Sequence, residues 1–151
     1  CGEKIHYKFL LFNNSIIHKS IFQHISFNTN LKHYGGEELD FSFKINKAFP
    51  SVICACPDAL VYRNNYPGLV KHCKRLEEFG LFNFGILSRR LQLDVVYYRL
   101  LLKRFFLLRV AMMFLYFFCN TINSKIKIKP QYLIIRIHFL TAILKGYYKG
   151  S

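Results

Sequence analysis

A chain of 151 residues with 22 Lys or Arg against 8 Asp or Glu, a net charge of +14, is long enough for one domain with a real core. It is also 52% apolar. That pairing suits a chain packed into something larger and strongly negative, and it offers little to an isolated soluble enzyme.

The charge is unevenly spread. Residues 1–60 carry six Lys and five acidic residues, whereas residues 61–151 carry sixteen basic and three acidic, or +13. From Val95 to Ser151 there are ten Lys or Arg and no Asp or Glu. Such asymmetry points to nucleic acid or an anionic membrane surface, with an ordinary solvated basic face as the plain alternative. Phe, Tyr, Ile, Asn and Lys make up 65 of the 151 residues, Ala only five, and Trp is absent. Those five types have AT-rich codons and no folding rule demands the mixture, so an organelle genome is the expected source. The five cysteines (Cys1, Cys54, Cys56, Cys73, Cys119) form no regular framework. Cys54 and Cys56 lack the two-residue spacer of a zinc knuckle, so buried small hydrophobes in a reducing compartment are expected. No signal peptide is visible, and no Met precedes Met112, so the chain reads as processed or partial.

Tyr7–Phe12 is an apolar run of strand length, and Asn13, Asn14 and Ser15 follow as turn and cap residues. Ile17, Ile21 and Ile25 then fall at helical spacing. Around Gly35 and Gly36 the chain turns; Glu37, Glu38 and Asp40 read as solvated. Phe41, Phe43 and Ile45 alternate with polar residues and predict a short strand, and Ser51–Cys56 predicts a buried one. Tyr66 and Pro67 open a helix whose apolar face is Leu69, Val70, Cys73, Leu76 and Phe79, with Gly80 as its stop. Leu81–Leu87 is a third buried-strand candidate. A long helix is expected from about Tyr98 to Cys119, broken by Thr121–Ser124. Lys125–Lys129 alternates like an edge strand, and Tyr132–Lys145 fits strand or helix. Strands alternating with helices predict an α/β fold, a Rossmann-like parallel sheet with flanking helices over residues 1–120, followed by a basic C-terminal extension over 121–151.

No catalytic constellation is legible. Phe12 is not followed by a glycine-rich phosphate loop, His18 and His24 have no partners at metal spacing, and His72 and Cys73 diverge on a helix. The reading is therefore of no enzyme, no cofactor, no metal and no small-molecule substrate. The basic residues carry more. Lys71, Lys74 and Arg75 cluster on one helix face, and Arg89 and Arg90 sit where a strand-to-helix loop would project them. Lys125, Lys127 and Lys129 would lie about 7 Å apart along one face of an extended segment, close to the spacing of successive phosphates. These eight residues are the candidate RNA-binding set, since Lys and Arg neutralise phosphates and release counterions. Phe105–Phe118 is shorter than the ~20 apolar residues that span a bilayer, and it contains Arg109.

The order of these elements resembles the S-two family of small-subunit ribosomal proteins, in a reduced mitochondrial form. Leu10–Ser15 is similar to that family's I-L-F-V-G-T strand and turn, and Tyr34-Gly35-Gly36 stands where the family has W-x-G-G. Ala48–Ile53 resembles its L-P-D strand, Val70–Leu76 with Gly80 and Leu81 its helix ending in K-L-G-I-P, and Phe84–Ser88 its V-A-I-V-D. Asp94 and Tyr98 fall in step with D-P-D-L-I-D-Y-P-I. The family's aspartate is replaced by Ser88, and its Y-P-I-P prolines are absent. A second resemblance is to the S-four family of the same subunit: Tyr66-Pro67-Gly68 and Leu76–Leu81 are similar to its Y-P-P-G…K-L-S-E-Y-G-L stretch. Either resemblance implies a structural constituent of the mitochondrial small ribosomal subunit, in the matrix, with ribosomal RNA and neighbouring ribosomal proteins as partners. The alternative is a membrane-embedded accessory subunit of a respiratory or ATP-synthase complex.

Overall fold

The computed structural model describes residues 2–10, 12–60, 62, 67–91, 106–125 and 132–150. Among them there are six α-helices and no strand: α1 (Ile21–His24), α2 (Glu37–Ala48), α3 (Leu69–Phe82), α4 (Phe84–Arg90), α5 (Phe106–Lys125) and α6 (Tyr132–Lys149). The expected Rossmann-like parallel sheet is therefore overturned. The single sheet-like pairing in the described residues is one antiparallel bridge between Lys4 and Cys54.

Among the described residues the expected strands give way to helices and turns. Tyr7–Phe9 closes as a 3-10 turn in which the His6 imidazole accepts from the Lys8 amide. Phe41 and Ile45 alternate with polar residues, but they are also one helical turn apart, and α2 buries both together. The acidic first turn of α2 (Glu37, Glu38, Asp40) complements its positive end, which tips an ambiguous pattern toward helix. Asp40 was expected to be solvated; instead it is 1% exposed and pairs with Lys44 at 3.1 Å. Ser51–Cys56 contributes only Ile53 O and the Ala55 amide to the lone bridge. Residues 81–87 span the end of α3 and the start of α4, burying Phe84 and Leu87 at helical spacing.

The chain forms two compact units: Cys1–Leu31 with Gly36–Tyr66, and Lys32–Gly35 with Pro67–Ser151. The first unit is centred on Phe41, which stacks on Phe27 (4.6 Å) and Phe22 (5.4 Å) and meets Phe12 edge-on. Tyr7, Ile25, Ile45 and Ile53 complete that core.

The second unit is built on α3, α5 and α6. Gly146 of α6 sits against the Glu77 carbonyl and Gly150 against Leu81, so the two helices advance four residues together and run parallel. Gly80 in turn sits against the Ile143 carbonyl. Gly80 was read as a helix stop; α3 continues through it to Phe82, and its missing side chain lets α6 approach instead. Around this crossing Phe84, Leu144, Tyr147 and Tyr148 form one core, and Cys73, Tyr116 and Ala142 another. Buried Asn83, at the junction of α3 and α4, donates from its amide to the carbonyls of His33 and Gly35, each at 2.8 Å. That ties the short 32–35 segment to this unit.

The break expected at Thr121–Ser124 is absent, because α5 runs on to Lys125. The domain boundary read after residue 120 thus falls inside a helix, and residues 132–149 are a packed element of the second unit.

Candidate nucleic-acid interface

Lys71 and Lys74 lie one turn apart at the start of α3. Both line a cleft of about 420 Å³ together with Gly68, Leu69, Val70, Asn120 from α5 and His138 from α6. Gly68 caps α3 without a side-chain hydrogen bond, and the His72 amide is the first to reach back, to the Gly68 carbonyl at 3.0 Å. The amides ahead of it have no partner within the helix, so the positive helix end and two lysines share one rim. Both lysines are exposed, and among the described residues no carboxylate lies within ion-pair distance of either. His138 adds no charge at neutral pH: burial pushes its imidazole below the ordinary range, and the Lys145 cation adds to the effect.

The other candidates are placed differently. Arg75 is half-buried with its guanidinium over the Tyr34 ring, 5.2 Å from the centroid. Arg89 and Arg90 were expected on a loop at a sheet edge; they are the last two residues of α4, and Arg89 Nε donates to the Gly85 carbonyl at 3.1 Å. Lys125 ends α5 and so is not on an edge strand, while Lys127 and Lys129 lie outside the described residues. Of the eight, Lys71 and Lys74 are the pair that share the cleft.

Two of the three acids in residues 61–151 are paired within the second unit. Glu77 bridges Lys145 (2.8 Å) and Lys149, and Glu78 lies 3.4 Å from His33. Burial alone would raise the Glu77 carboxyl, but hydrogen bonds and charge from the two lysines outweigh it and hold the group below its ordinary range. Lys145 also sits over the Tyr116 ring, 4.2 Å from its centroid. Glu77 steadies α6 on α3, Glu78 faces the 32–35 segment, and neither compensates the cleft lysines.

Nothing in the described residues groups three His, Cys, Asp or Glu side chains as metal ligands. Cys73 and Cys119 are buried; desolvation, with Cys119 nearby, pushes the Cys73 thiol up to about 11. Cys56 is exposed, contrary to the expectation of buried cysteines throughout. Among the described residues no helix is long and apolar enough to cross a membrane.

Fold and surface together define a strongly basic protein, helical and without strands among the described residues, with a cationic cleft at a helix start. No protein-family model, curated protein or solved structure matches the chain.

Proposed function

We propose that this chain is a structural constituent of the mitochondrial small ribosomal subunit, binding ribosomal RNA by its phosphates and packing against neighbouring ribosomal proteins. One observation supports this best: Lys71 and Lys74 meet the positive end of α3 in an open cleft, within a half-chain carrying +13 whose described acids are consumed internally. Lysines held apart from carboxylates neutralise phosphates without reading sequence, as a ribosomal scaffold requires. The reading includes no reaction, and the RNA is the partner rather than a substrate.

The test is association with small-subunit RNA in a sucrose gradient after organelle membranes are washed with high salt and carbonate. Co-sedimentation with that RNA supports the reading, and retention in the washed membrane overturns it in favour of a membrane subunit. The Lys71→Ala/Lys74→Ala double variant should weaken RNA binding and lower the salt slope by about two, one for each lost phosphate contact. An unchanged slope would reduce the pair to a solvated face.

A further inference from the structure

α5 presents a long apolar face outward. Phe106 is 75% exposed and Phe114 72%, and Leu107, Phe117 and Phe118 are exposed beside them. A shallow groove of about 210 Å³ runs along this face, lined by Phe106, Arg109, Val110, Met113, Phe114 and Phe117. The twelve residues from Phe106 to Phe117 span about 16 Å, three helical turns. Apolar exposure of this extent marks an interaction surface.

We propose that this groove docks an amphipathic helix of a neighbouring protein, with apolar side chains in the groove and a carboxylate on Arg109. The inference rests on the reading of the chain as a member of an assembly, and it gives the protein partner a place and a chemistry. Arg109 is fixed in advance: its Nη2 donates to the Tyr148 carbonyl at 3.0 Å, and its guanidinium lies over the Tyr148 ring, 4.9 Å from the centroid. Five N–H donors on a guanidinium leave several for a carboxylate, which it grips in fork geometry. No described carboxylate pairs with Arg109, and residues 95–151 supply none of their own. The proposal draws that acid from the partner helix.

Three other occupants fit less well. A second copy would set the same cations face to face. A bilayer core is about 30 Å thick, twice the length of the groove. RNA would meet the charge, but tracking a backbone takes a series of cations, and the groove offers one among Val110, Met113 and three phenylalanines. An apolar ridge flanked by acids, three turns long, matches both wall and charge.

The test uses the purified full chain and a fluorescent synthetic helix of about 16 residues, leucine on one face and glutamate on its flanks, of a length to fill the groove. A control peptide replaces every glutamate with lysine. The acidic peptide should bind at least roughly tenfold more tightly than the control, and Phe106→Ser/Phe114→Ser should weaken it by about tenfold or more with the helical circular dichroism unchanged. Arg109→Gln should erase the preference between peptides. Equal binding of the two peptides, or indifference to the phenylalanine pair, overturns the proposal. So does loss of binding to anionic phosphatidylserine vesicles, to an RNA oligonucleotide, or to a second copy in that phenylalanine variant when the peptide itself does not bind. RNA binding measured on the same samples separates the two readings. In the unmodified chain, peptide binding without RNA binding sinks the ribosomal assignment alone, and RNA binding without peptide binding sinks the groove alone.

Discussion

Glu77 shows how one side chain organises its surroundings. It is mostly buried, holds Lys145 at 2.8 Å and also binds Lys149, and so clamps the C-terminal half of α6 to α3. Its carboxyl lies below the ordinary value of 4.5, so the folded state binds that proton less readily than the unfolded chain. Its contribution is present above that value and is lost as pH falls through the lower, folded one. Glu77→Gln should therefore cost roughly 1–2 kcal/mol near neutral pH and lose less stability than the parent between about pH 5 and pH 3. Thermal melts across that window check it; parallel curves would show that the clamp contributes nothing. Asn83 acts on the same scale, its buried amide replacing backbone pairing for the 33–35 turn.

At the level of elements, the α3–α6 crossing decides the second unit. Gly80, Gly146 and Gly150 bring backbone against backbone, with Ala142 fully buried on the same seam. In a free helix Gly→Ala is favourable, because alanine loses less backbone entropy on folding. Here the new methyl would strike a carbonyl of the facing helix, so the sign reverses. Gly80→Ala and Gly146→Ala should each destabilise by about 1–3 kcal/mol, measured by urea denaturation. A gain in stability would mean that the helices part easily. The Ala142-x-x-x-Gly146-x-x-x-Gly150 spacing was visible in the sequence as small residues one turn apart, but its meaning depends on a partner helix some 65 residues earlier. The strand expectations failed on the same scale. Five residues such as Phe41–Ile45 satisfy alternation and helical spacing at once, and the acidic first turn of α2 together with burial against Phe12, Phe22 and Phe27 separates the two.

Across the whole molecule, charge is the dominant property. A net +14 concentrated in residues 61–151, with Glu77 and Glu78 already engaged, leaves the folded chain repelling itself. A polyanion that binds the folded form should stabilise it by about 2.7 kcal/mol at a hundredfold excess over its Kd and so raise the melting temperature, whereas neutral dextran should act only weakly. Heparin fragments against dextran in a thermal-shift assay check this; equal effects would mean that the basic surface binds no anion when folded.

Composition, charge segregation, the acid-free run after Asp94 and the existence of helices over residues 69–79 and 106–119 follow from the sequence alone, because charge and 3.6-residue periodicity are local quantities, whereas Tyr132–Lys145 fitted strand or helix until the structure showed it helical. The tertiary structure decided that there is no sheet in the described residues, that Gly80 is a contact and not a stop, and that Lys71 and Lys74 share a cleft while Arg75 turns to Tyr34. It also singled out Arg109, which the sequence marked only as a charge inside an apolar run. Each of these depends on which face of one helix meets another far along the chain, and short-range pattern carries no term for that.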